Sequence, residues 1–136
     1  MAINDAWAVQ SVAGSELAAL DSSGNLDLSG TISASNVSAG GHNTETLTGN
    51  KTLTGADATF QLLDPGGAGR NVTLPAEATS AGRSFRILNR ADAAEDLTVK
   101  DDAASTIVTI SQNEAAWVVC DGTSWAHAGI ESIALS

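Results

Sequence analysis

Residues 117–129, WVVCDGTSWAHAG, contain two of the three tryptophans, the single cysteine and one of the two histidines. Asp121-Gly122 divides the stretch, and both residues tolerate the positive φ that a tight turn requires. The apolar run before the turn and TSWAH after it then read as paired strands. That pairing predicts that Trp117 and Trp125 approach one another across the hairpin, although the turn alone does not fix the register. Such an aromatic pair is worth about 0.5–1.5 kcal/mol beyond burial. The residues offer two other readings. An exposed tryptophan can stack on a sugar ring, and Cys120 with His127 can be imagined as a nucleophile and its base. Catalysis also needs an orienting third group and an oxyanion site. No glycine-rich nucleophile turn surrounds Cys120, and a free cysteine in VVC reads as a small core residue.

The same strand-and-turn grammar continues upstream. Strands are predicted over 46–48, 51–53, 59–63, 71–74, 84–88, 96–100, 106–110, 115–120 and 124–128. Thr48-Gly49-Asn50, Asp64-Pro65-Gly66-Gly67, Ala81-Gly82, Asp101-Asp102 and Ser111-Gln112-Asn113 punctuate them. No helix of useful length survives after residue 44. Short strands spaced about ten residues apart predict an all-β body over 42–136, a single β-sandwich or jelly-roll-like domain.

Residues 1–41 differ. They are rich in Ser, Ala, Gly and Asn, and read as an extended N-terminal arm or linker. ELAAL, 16–20, suggests a helical turn that DSSGN ends at once. In GNLDLSGTISASNV, Leu26, Leu28, Gly30, Ile32 and Ala34 share one parity and polar residues hold the other. This two-residue period is that of a half-buried strand. A solitary strand cannot satisfy its own backbone, so it must pair with the body, with sister chains or with another protein. Pairing with another molecule is the favoured reading. SAGGHN, 38–43, reads as a hinge.

Composition narrows the function classes. A chain of 136 residues supports one modest core, and its 43% hydrophobic content is mostly small, with no Tyr and only two Phe. Self-association would offset a core of small residues. A net charge of −10 and a pI near 4.2 argue against nucleic acid and against an anionic membrane surface. One cysteine allows no intrachain disulfide. MAINDAWAVQ lacks the pattern of a signal peptide, so synthesis in a cytoplasm is expected.

The remaining motifs are weak. His42 and His127 lack zinc spacing. Asp92, Glu95, Asp96, Asp101 and Asp102 contain no D-x-D-x-D-G calcium loop. DPGGAGR, 64–70, is not a phosphate loop, and nothing pairs Glu77, Glu114 or Glu131 for glycoside hydrolysis. No catalytic residue, cofactor or metal is therefore expected. Arg83, Arg86 and Arg90 are half of the six basic residues. Arg86 shares a strand face with Ser84 and Leu88, while Phe85 and Ile87 point the other way, and its guanidinium is expected to meet a carboxylate.

Three runs carry a resemblance: TLTGNKTLTGADATFQLLDPGGAGRNVTLP, GRSFRILNRA and TISQNEAAWVVCDGTSWAHAG. Together they resemble the small β domains of tailed-bacteriophage virion structural proteins. GNLDLSGTISASNV is similar to linkers that precede trimeric domains of phage fibres. Glu114 departs from the pattern, standing where a glycine-like turn residue often precedes the tryptophan.

The resemblance implies a non-enzymatic homotrimer mounted on a particle. The small size favours a head-decoration (cement) protein that binds the major capsid protein on the capsid surface. Trp7, Val9, Leu26, Leu28 and Ile32 would be the arm's contacts with that partner. Phe85, Arg86, Trp117 and Trp125 would serve core or trimer packing. The alternative is a tail-fibre, spike or head-fibre module that touches host glycan.

Overall fold

The computed structural model describes residues 41–134 throughout and, before them, the backbones of three strands. Contacts divide the chain into two units, Met1–Val37 and Ser38–Ser136.

In the first unit, β1 (Trp7–Gln10), β2 (Glu16–Leu20) and β3 (Leu26–Leu28) form an antiparallel sheet in that order. The register aligns Trp7 with Leu20 and Leu20 with Leu26. Two residues along, Val9 aligns with Ala18 and Ala18 with Leu28. The helical turn expected at ELAAL is therefore corrected to a strand. Glu, Leu and Ala are good helix formers, but five residues barely nucleate a helix, and strand partners on both sides override the preference. The stripe around Leu26 is also not solitary, because β2 of the same unit pairs with it. Ile32 lies outside the described residues.

The second unit is an all-β domain of two mixed sheets. Its strands are β4 (His42–Thr46), β5 (Lys51–Thr52), β6 (Phe60–Asp64), β7 (Arg70–Thr73), β8 (Ser84–Asn89), β9 (Leu97–Lys100), β10 (Thr106–Ile110), β11 (Glu114–Cys120) and β12 (Trp125–Ser132). One sheet has the order β12-β11-β8-β6-β4 and the other β10-β9-β7-β5. From β4 to β9 the chain alternates between the two sheets. Successive visits to one sheet are parallel: β4 with β6, β6 with β8, β5 with β7 and β7 with β9. Each parallel crossover is thus a strand of the opposite sheet, where other folds use a helix. The last three strands reverse direction. β10 pairs antiparallel with β9, β11 with β8 and β12 with β11.

A jelly roll is built of antiparallel neighbours. Four of the seven pairings here are parallel, so that part of the expectation is corrected. The reason is that turn chemistry reports local reversals only, whereas the winding is set by which strand the chain meets a full circuit later.

One buried cluster draws on both sheets. Leu63, Phe85, Ile87, Val118, Cys120 and Trp125 meet Val72, Leu97, Val99, Val108 and Ile110. Strict alternation supplies them: SFRILN buries Phe85, Ile87 and Asn89, and LTVK buries Leu97 and Val99. Each large apolar side chain so buried is worth about 1.5–3 kcal/mol. Two buried amides have both their nitrogen and their oxygen hydrogen-bonded. Asn89 Nδ2 donates to the carbonyls of Glu95 and Ile110 at 2.7 and 2.9 Å, and its Oδ1 accepts from the Ala91 N–H at 2.9 Å. Gln61 Nε2 donates to the Ala58 carbonyl at 2.7 Å, and its Oε1 accepts from Asn43 Nδ2 at 3.0 Å. These bonds tie loops to the core, since an unmade one would cost about 1–3 kcal/mol.

The only helix among the described residues is a 3-10 turn, Glu77–Thr79, and none is long and apolar enough to cross a membrane.

Candidate functional site

The closing hairpin turns differently from the sequence expectation. Gly122, at φ +94°, and Thr123 are its central residues, and the Asp121 N–H donates to the Ser124 carbonyl at 3.2 Å. Asp121 instead flanks the turn. Its Oδ1 accepts from the N–H groups of Thr123 and Ser124 at 2.8 and 2.7 Å. Those backbone bonds, Ser124 first, hold its carboxyl below the usual value of 3.8.

This register aligns Cys120 with Trp125 and Val118 with His127. Trp125 is therefore inward with Val118 and Cys120, and Trp117 is outward. The aromatic pair expected across the hairpin does not form. Trp125 is 5% exposed, lies 5.9 Å from the Phe85 ring centroid and donates from Nε1 to the Pro75 carbonyl at 2.9 Å. Phe85 is fully buried, and the Arg83 guanidinium stands 5.6 Å from its centroid. Phe85 and Trp125 are core. Arg86 and Trp117 are not.

Cys120 Sγ faces the Glu77 carbonyl at 3.6 Å and accepts from the Gly122 N–H at 3.4 Å. The cysteine is buried, and its cross-strand partner is Trp125 rather than His127. Nothing in this geometry prepares a nucleophile.

The outward side of the five-stranded sheet is the feature with chemistry left over. In adjacent strands β6, β8 and β11, Phe60 aligns with Arg86 and Arg86 with Trp117. Leu62, Leu88 and Ala115 form the next row, and Val119 aligns with Ser84. Strand spacing of about 4.8 Å puts Phe60 and Trp117 roughly 10 Å apart, with Arg86 between them. Phe60, Trp117 and Val119 are 43%, 49% and 38% exposed, three of the four large exposed hydrophobics among the described residues. A groove of about 160 Å³ runs between Thr59, Phe60, Ser84, Arg86 and Trp117. Arg86 Nη2 donates to the Glu131 carboxylate, an ion pair at the margin of this face.

No family model matches this chain, and no curated protein or solved structure matches it. The surface must therefore be read from its own chemistry.

Charge singles the face out. Four of the 16 acidic residues, Asp5, Glu16, Asp21 and Asp27, precede residue 38, leaving 12 in the second unit. Of these, Asp64 alone occupies an outward position on β6, β8 or β11; Glu114, at the start of β11, has the parity of the inward Ala116 and Val118. Glu114 turns back to accept from the Ser111 N–H at 3.0 Å. A face rich in Trp, Phe and Arg and poor in carboxylates has the composition of an interface centre.

Phe60 and Val119 were not among the expected contact residues. Parity contained the signal for both, since they alternate with the buried Gln61 and Cys120 or Val118. A buried glutamine beside an exposed phenylalanine reverses the usual assignment, so hydrophobicity alone hides Phe60. Of the expected arm contacts, Trp7, Val9, Leu26 and Leu28 fall in the small sheet of the first unit, and the register brings them into neighbouring rows.

A second cluster joins Asp64, Asp92 and Glu95, whose carboxylate oxygens lie within 4.8 Å of one another. Asp92 and Glu95 were considered from sequence, but Asp64 is added by the fold, and Asp96 is not part of the group. Two of the three brace the 65–69 loop. Asp64 Oδ1 accepts from the Gly66 N–H at 2.8 Å and Glu95 Oε2 from the Gly67 N–H at 3.2 Å. Calcium takes six to eight oxygens, and three carboxylates, two of them already bonded to backbone, do not by themselves make its site.

Proposed function

We propose that this chain is a non-enzymatic structural protein of a phage particle, a capsid decoration (cement) protein that binds the major capsid protein as a homotrimer. The two sheets act as a β-sandwich body, and the first unit supplies the contact with the shell. The observation that carries the reading is the exposed row Phe60–Arg86–Trp117, an interface centre on an otherwise acidic body. The resemblance of residues 46–75, 82–91 and 109–129 to virion β domains supports it further.

Attachment through the first unit uses rows that contain Trp7, Val9, Leu26 and Leu28, with Ile32 further along the stripe. Three such grips on one trimer multiply into stable attachment, because the second and third bind at high effective concentration. A protein that binds the assembled lattice and not its dissociated subunits stabilises the shell by mass action.

The test is quantitative staining of purified particles, followed by co-sedimentation of the protein with stripped shells. A copy number comparable to that of the capsid subunit is expected, with attachment abolished by Leu26→Asp/Leu28→Asp/Ile32→Asp. A few copies per particle would contradict decoration. That result would favour the second reading, a fibre or spike module in which exposed Trp117, beside Phe60, stacks on host glycan.

A further inference from the structure

We infer that the outward face of the five-stranded sheet, centred on Arg86 between Phe60 and Trp117, is the surface through which copies of this chain bind one another. The inference rests on the homotrimer reading and assigns it a place.

Charge decides the occupant. Each copy carries −10, so two copies repel across most of their surfaces. On this face the one central cation, Arg86, is already paired with Glu131, so the middle of the face presents little net charge to a like-charged neighbour. A basic partner would gain most from the carboxylate-bearing loops instead. An anionic partner would meet a strongly acidic chain around one small neutralised spot. A second copy is the partner for which this face is the most favourable approach.

Size argues for a ring over a face-to-face pair. Three strands at about 4.8 Å spacing and five residues at about 3.3 Å give a flat patch of roughly 250 Å². Side-chain relief and the flanking strands bring it to about 400–500 Å² per copy, short of the roughly 800 Å² that a stable partner contributes. The adjoining edge strand β12 is available to make up the difference. It carries Ile130, 45% exposed, and a bulge at Gly129, φ +97°. If the face of one copy receives the β12 edge of the next, every copy contributes two different surfaces. Heterologous contacts of that kind close into a ring when the rotation from copy to copy closes, as a three-fold rotation does.

Sedimentation equilibrium of the full chain, from micromolar to millimolar, tests this. The wild type is expected to reach a trimer. Phe60→Ser/Trp117→Ser should weaken association about 30-fold or more, as loss of an interface hot spot does. Val119→Glu is a gentler second variant at an exposed position, and it should shift association in the same direction. The near-UV circular dichroism of the stacked Phe85–Trp125 pair reports whether each variant is folded.

A wild type that stays monomeric throughout would overturn the inference. So would folded variants that associate as strongly as the wild type. The outcomes separate the two proposals. A trimer that dissociates on mutation but never binds shells defeats decoration alone, whereas unchanged association with normal shell binding defeats this surface alone.

Discussion

Trp117 and Trp125 sit eight positions apart on neighbouring strands of one hairpin, and the sheet sends them to opposite sides. Trp125 faces in, stacks on Phe85 and has its indole N–H satisfied by Pro75. Trp117 faces out beside Arg86, half exposed. The same residue type therefore does two jobs, and only position in the register separates them. The inward side of this sheet holds the fold together, and the outward side is free to be spent on binding.

Mutation should divide along the same line. Trp125→Ala removes a buried indole and orphans the Pro75 carbonyl, and should cost about 3–5 kcal/mol in urea unfolding. Trp117→Ala should stay within about 1 kcal/mol of the wild type when measured on the monomer. Equal losses at both positions would break the inside–outside distinction.

Polar groups sharpen it. Asn89→Ala leaves the Glu95 and Ile110 carbonyls and the Ala91 N–H without their partner, and should cost about 2–3 kcal/mol. Arg86→Ala breaks only a surface ion pair, worth about 0–1 kcal/mol. Chemical denaturation of both variants at low concentration, where association does not contribute, measures the difference.

Acid should act away from both tryptophans, on Glu45 of edge strand β4 and on the carboxylates of two loops. Lys51 first and then Asn43 hydrogen-bond to Glu45 and hold its carboxyl below 4.5; the Thr54 hydroxyl and N–H do the same for Asp57 below 3.8. Asp121 is depressed likewise by Ser124 and Thr123. Groups with folded-state values below their unfolded ones stabilise fully above the unfolded value and lose that contribution as pH falls through the folded one. The melting temperature should stay flat from neutral pH down to about 5 and decline below about 4. A decline that began near pH 6 would break the assignment to these three carboxylates.

The smallest expected effect is a gain. Ala104 holds φ +68° in the turn closed by Asp101 and Ser105, a left-handed conformation that costs an L-residue about 1 kcal/mol. Ala104→Gly should raise stability by roughly 0.5 kcal/mol, after glycine's greater unfolded-state entropy is subtracted. The neighbouring faces should be unaffected.

Much of the strand content was legible because a half-buried strand writes its period into the chain. SFRILN, LTVK and EAAWVVC could be placed from alternation, and the side of Arg86 followed from the side of Phe85. Asp121-Gly122 marked a reversal, yet moving the turn centre one residue, to Gly122-Thr123, changed which tryptophan met which neighbour. ELAAL was misread as a helical turn because propensity is a weak local preference, and two strand partners outweigh it. The Asp64–Asp92–Glu95 cluster carried no local signal, since its members lie 28 or more residues apart except for Asp92 and Glu95.

Sequence by itself determined that the chain is β-rich and acidic, and where most of its strands run. Those properties depend on each residue's own chemistry and that of its near neighbours. Tertiary structure alone decided that the strands wind in parallel between two sheets, and that Phe60, Arg86 and Trp117 stand in one row. Both depend on contacts between residues far apart in the chain, whose energy exists only once the sheets have come together.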